Sequence, residues 1–118
     1  MQKQFIAAAA TLALLGSTVA NAAEEANPLI SQNHCLSCHA LLQKRVGPAF
    51  AWIAYRYRAR RDAVNMLAEK VIRGGSGDWD AWTYSTPMPP HPELTQAQAD
   101  AMVKWILARE PKRPPDPQ

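Results

Sequence analysis

An all-α fold is what this sequence predicts, on three observations. Several segments carry apolar residues at helical spacing, and no run of alternating apolar and polar residues is long enough to make a convincing strand. The prolines and glycines fall mostly in two loops and the tail, where they punctuate helices rather than interrupt them.

The N-terminus comes first. "MQKQFIAAAATLALLGSTVANA" places Lys3 ahead of an apolar run from Phe5 to Leu15 and ends on the small-x-small triplet Ala20, Asn21, Ala22, the layout of a cleavable secretory signal over residues 1–22. The apolar run is too short to cross a bilayer, which takes about 20 residues. Cleavage leaves a soluble, exported chain of bacterial type, expected in the periplasm, with one domain over residues 23–110 and a tail over 111–118. A domain of that size buries a modest fraction of its surface, so something is expected to supplement its core. The formal charge of +3 at pH 7 is far from the strongly basic profile of a nucleic-acid binder.

Four helices follow in order. After Asn27, Pro28 suits a first helical position, and "PLISQNHC" reads as a short helix running into the first cysteine. "PAFAWIAYRYRAR" from Pro48 reads as a second. "RDAVNMLAEKVIRGG" reads as a third, with Val64, Leu67 and Val71 on one face and Gly74 or Gly75 as its stop. The last is the best bounded, because in "LTQAQADAMVKWILARE" Thr95 stands three residues before Gln98, the spacing of a capping box, with Leu94 just outside it. Ala101, Met102, Trp105 and Ile106 then form an apolar stripe that has to bury against something. "PKRPPDPQ" cannot continue a helix and is expected to be a disordered tail.

The two cysteines of the chain lie together in "NHCLSCHALL", two residues apart and followed at once by His39. A thioredoxin-like dithiol expects a βαβ pattern that is missing here, and a structural zinc site wants four ligands where only His34, His39 and His91 supplement two thiols. A plain disulfide or thiol pair is a further alternative. CxxCH is the attachment signature of c-type haem, in which Cys35 and Cys38 each add to one porphyrin vinyl group and His39 is held where its imidazole binds iron. Export agrees with this reading, since c-type haem is attached outside the cytoplasm. A tethered apolar ring also answers the small-core problem.

A second iron ligand is sought among Met66, Met88 and Met102. Met66 and Met102 lie within helical segments, where a flexible thioether is usually a packing residue. Met88 sits between Pro87 and Pro89 in "STPMPPHP", whose fixed φ angles and missing amide donors favour a stiff extended strap. His91, three residues on, is a rival ligand. "RYRARR", Arg56 to Arg61, is a basic cluster that reads either as a solvated helix face or as a dock for an acidic redox partner.

"CLSCHALLQKRVGPAF", then "RGGSGDW", then "TPMPPHPELTQAQADAMVKWILA" resemble, in this order, the small class I bacterial cytochromes c of the c551/c552 type. The resemblance covers the chain between signal and tail. It implies the class I cytochrome c fold, three to four short helices wrapped around one covalently bound haem. Carried across, it makes Cys35 and Cys38 the thioether positions, His39 the proximal ligand and Met88 the distal one. It makes Pro48 the residue whose carbonyl accepts from the proximal histidine, and puts the tryptophan near a haem propionate at Trp79 or Trp82, with Trp79, next to the glycines, preferred. Two departures stand out: His34 precedes the first cysteine where the family often has glycine, and "DWDAWTYST" is longer than the usual connection.

The function implied is a monohaem, periplasmic one-electron carrier between redox proteins, not an enzyme, with both axial iron positions filled. The alternatives are a dedicated cytochrome subunit of a periplasmic dehydrogenase, for example one oxidising sulfite, and an open haem that binds small gases or shows peroxidase activity if Met88 dissociates.

Overall fold

The computed structural model describes residues 27–118; the signal segment expected over residues 1–22 lies outside them. Asn27 caps α1 (Pro28–Gln32), its side-chain oxygen accepting from the Leu29 amide at 3.0 Å. This helix stops short of the cysteines. Asn33 closes it, and His34 takes left-handed backbone, φ 57° and ψ 26°, which turns the chain into a single 3₁₀ turn at Cys35–Ser37. A family that often places glycine at this position is thereby explained, since glycine enters that region without steric cost.

The second helix, α2 (Phe50–Tyr57), starts two residues later than Pro48 because Ala49 is extended, with φ −60° and ψ 144°. Its first amides find acceptors in the preceding loop: Phe50 N–H donates to the Ala40 carbonyl and Ala51 N–H to the Leu41 carbonyl, each at 2.9 Å. The loop that follows the cysteines is thus fastened to the helix. α3 (Ala63–Arg73) ends where expected, at Gly74, whose φ of 70° suits glycine and whose N–H reaches the Lys70 carbonyl at 2.7 Å.

A fifth helix, α4 (Asp80–Thr83), was not expected. α5 (Gln96–Leu107) carries the complete capping box: Gln98 N–H donates to Thr95 Oγ1 at 3.1 Å, and Thr95 N–H to Gln98 Oε1 at 2.9 Å. Leu94 and Ala99, the residues outside and inside that box, are both buried, as a hydrophobic staple requires.

α5 packs across α3, α2 and α1 with Ala99, Met102, Val103 and Ile106 buried and Trp105 half-buried; Ala101, expected in the stripe, is exposed, and Val103 takes its place. Ile30, Phe50, Met102 and Val103 are the largest fully buried side chains, each contributing roughly 1.5–3 kcal/mol of burial. Trp105 stands edge-on to Phe50, centroids 5.9 Å apart. Among the described residues the extended pairing amounts to two isolated bridges, His39 with Lys44 and Gly75 with Met88.

The tail, expected to be disordered, touches the body at two points: Lys112 N–H donates to the Ala51 carbonyl at 3.0 Å, and Pro115 O accepts from the Trp82 indole at 2.8 Å. Its prolines have little conformational freedom to lose on docking. The basic cluster is also engaged. Arg56 lies 4.8 Å from the Trp79 ring centroid, Arg58 lies 3.8 Å from that of Tyr55, and Arg60 pairs with Asp62 at 2.9 Å.

Candidate functional site

A cavity of about 360 Å³ opens between the cysteine turn, α2, α3, α5 and the segment from Gly75 to Pro89. Its wall is mainly apolar: Ile30, Phe50, Ile53, Leu67, Val71, Val103 and Ile106 all reach it. Cys35, Cys38, His39, Pro48, Trp79 and Met88 line it as well, so all six residues singled out in the sequence converge on one space.

His39 is the most constrained of them. Its side chain is buried, and Nδ1 lies 2.7 Å from the Pro48 carbonyl oxygen. A carbonyl only accepts, so the proton of the neutral ring sits on Nδ1 and the Nε2 lone pair is left for a ligand. Burial pushes the imidazole pKa down, outweighing the Pro48 hydrogen bond that pulls it up, and so favours the neutral form that metals bind. The ring stacks on Phe50, centroids 5.2 Å apart and planes 19° apart.

Gly47 completes the seat. A Cβ there would stand 2.5 Å from His39 Cε1 and 2.9 Å from both ring nitrogens, so only glycine lets the loop close onto the imidazole. The turn itself is held by Gly47 N–H donating to the Cys38 carbonyl at 2.7 Å.

The two thiols are not bonded to each other. Burial raises the Cys35 pKa, the largest effect; its backbone hydrogen bond lowers it and Cys38 raises it further. Among the described residues no three His, Cys, Asp or Glu side chains converge as a metal-binding group, so the zinc reading lacks its remaining ligands.

Met88 is clamped through its backbone. Gly75 N–H donates to its carbonyl and its own N–H donates to the Gly75 carbonyl, both at 2.9 Å. Gly74 holds the strap from beneath: a Cβ there would meet the Met88 carbonyl oxygen at 2.4 Å and Pro90 N at 2.7 Å. Met66 and Met102 also reach the cavity, which the sequence did not indicate. His91 does not line it; its amide donates to the Ile72 carbonyl at 3.0 Å.

The pair of tryptophans separates cleanly. Trp79 lines the cavity and Trp82 does not. Beside Trp79, the Tyr57 hydroxyl donates to Asp78 Oδ2 at 2.8 Å; burial, then that carboxylate, push the phenol pKa up to about 12. Gly47 and Gly74 are the positioning residues that sequence reasoning missed. In the sequence Gly74 reads as a helix stop, and Gly47 only as one residue of the stretch that resembles the family.

The donor set fits covalent haem: an apolar pocket, two thiols at its edge, one tautomerically fixed imidazole and thioethers within reach. Comparison with known proteins points the same way. The cytochrome c family model matches residues 23–110. Cytochrome c-552 of Hydrogenobacter thermophilus is 43% identical over 99 residues, covering 84% of this chain and 91% of that protein. Cytochrome c-552 of Nitrosomonas europaea is 38% identical over 97 residues, covering 82% and 90% respectively. The crystal structure of the wild-type Nitrosomonas europaea cytochrome c552 superposes with a TM-score of 0.63 at 40% identity, over 69% of this chain and 95% of that one. The chain therefore belongs to the cytochrome c family, with the class I fold, an electron-transfer role and haem c attached through Cys35 and Cys38.

Proposed function

We propose that this chain is a periplasmic one-electron carrier between redox proteins, in which His39 and Met88 hold the haem iron from either side and leave no open position for a substrate. The observation that carries the reading is the His39 seat: the Pro48 hydrogen bond fixes the tautomer, and Phe50 and Gly47 fix the ring plane. Bound haem supplies a ferric/ferrous couple, whose potential a thioether ligand raises relative to a second imidazole. The residues of the chain do the rest. The Gly75 bridge and the Gly74 contact stiffen the strap that presents Met88, and Trp79, which lines the cavity, would stand near a haem propionate. The secretory layout of residues 1–22 supports export, and no described helix is long and apolar enough to cross a membrane.

Electrons pass where the thiol edge meets solvent. Leu36 is exposed on the cysteine turn and Leu41, Leu42 and Val46 along the loop from it to Pro48, beside half-buried Lys44 and exposed Arg45. This apolar apron with basic neighbours suits a redox partner that carries an apolar contact inside an acidic rim. It is preferred as a dock to the Arg56 to Arg61 cluster, which offers charge without a comparable apolar contact: of its two uncharged residues Tyr57 is buried and only Ala59 is exposed. Stopped-flow electron exchange with an acidic redox protein tests the assignment. Leu42→Glu is expected to slow the second-order rate about tenfold at low ionic strength, and Arg61→Glu to change it much less. A rate untouched by Leu42→Glu and depressed by Arg61→Glu would return docking to the arginines.

A further inference from the structure

Trp82 lies outside the cofactor cavity, yet its surroundings tie it to that cavity. α4 has four residues, too few to hold a helix by its own hydrogen bonds. It is followed by Tyr84 and Ser85 in left-handed backbone, φ 54° and 58°, a conformation non-glycine residues enter at a cost. External contacts must hold it in place. The Trp82 indole N–H donates to the Pro115 carbonyl at 2.8 Å, the Trp82 ring lies against Trp79 with centroids 5.3 Å apart, and the Lys44 ammonium lies 4.8 Å from the Tyr84 ring centroid. On the inner side, Thr83 is buried with its hydroxyl donating to the Trp79 carbonyl at 3.1 Å. Trp79, Asp80 and Thr83 all line the cavity.

The tail is the other half of the arrangement. Lys112 is pinned to Ala51 in α2, and Pro114 and Pro115 stiffen the chain between that point and Trp82. One stiff segment therefore links α2 to α4 across the outside of the wall.

We propose that Trp82 is a positioning residue: through its bond to Pro115, the C-terminal segment clasps α4 and Trp79 against the cavity and keeps water from that side of the haem. This rests on the cavity being the haem site. Loosening α4 admits water, which favours the more highly charged ferric form and lowers the potential.

Two variants remove the same bond by different means. Trp82→Phe keeps an aromatic ring beside Trp79 but has no N–H, and a chain ending at Glu110 removes the acceptor. Both are made as holoprotein, with covalent haem verified by absorbance and mass. In each, exchange of the Thr83 and Ser85 amides, which donate to Trp79 and Asp80 carbonyls, is expected to rise about tenfold. The potential should fall, and amides in the middle of α5 should be unaffected. Because the shortened chain already lacks the acceptor of Trp82, and also loses the Lys112 contact with Ala51, adding Trp82→Phe to it should do no more than the shortening alone. Unchanged exchange, an unchanged potential, or additive effects would overturn the proposal. If the shortened chain does not fold, Trp82→Phe alone decides by the same two readouts. Covalent haem missing from the wild-type protein would instead sink the cofactor reading, while amide exchange still judges the clasp.

Discussion

His39 owes its orientation to neighbours that the cysteine motif does not name. The Pro48 carbonyl fixes the proton, Phe50 supports one face of the ring, and Gly47 leaves room for it. Gly47→Ala is the sharpest probe of this seat, because the added carbon overlaps an imidazole that has nowhere to retreat. It should cost about 1–3 kcal/mol, as overpacking typically does, and lower the yield of protein with covalent haem. Thermal unfolding of the holoprotein and haem absorbance per polypeptide measure both, and unchanged values would mean that the ring is not held there. Cys35, Cys38 and His39 were legible in the sequence because attachment chemistry demands that spacing along a single stretch of chain. The role of Gly47 was not, since its contact with His39 exists only after the loop folds back. His34 illustrates the same limit: its left-handed backbone is a property of the turn, visible in the sequence only as a departure from the glycine the family often has.

Helix ends written in local chemistry were read correctly, and those set by tertiary contacts were not. The capping box of α5 and the glycine stop of α3 depend on side chains within a few residues, so pattern was sufficient. α1 stops early because the chain must turn to present two thiols, and α2 starts late because loop carbonyls take its first amides. α4 is too short to show a periodicity at all, and the tail's docking depends on Trp82 from a distant part of the sequence. Thr95→Ala should remove one half of the α5 box at about 1 kcal/mol, a fall of roughly 4–8 °C in the unfolding midpoint of a domain this size. Because the cap lies outside the cavity lining, the absorption spectrum of the haem should not change. A spectral change with an unaltered midpoint would contradict that separation.

At the scale of the molecule, α1, α2, α3 and α5 share one apolar core that borders an apolar cavity, and the family's cofactor is what such a wall is suited to bury. The all-α class followed from periodicity, and the need for a supplement followed from the size of the domain. The proline strap singles out Met88 in the sequence; what stayed illegible was that Met66 from α3 and Met102 from α5 reach the same space, because helical spacing does not show which packing residues border the cavity. Met88 differs from both in having its backbone paired with Gly75 and its strap seated on Gly74. The most direct test of the closed, two-ligand electron carrier is the weak near-infrared band of sulfur-to-ferric-iron ligation in the oxidised protein. The band should be present in the wild type, vanish in Met88→Ala and persist in Met66→Ala and Met102→Ala. Survival of the band in Met88→Ala, with its loss in either of the others, would contradict the assignment.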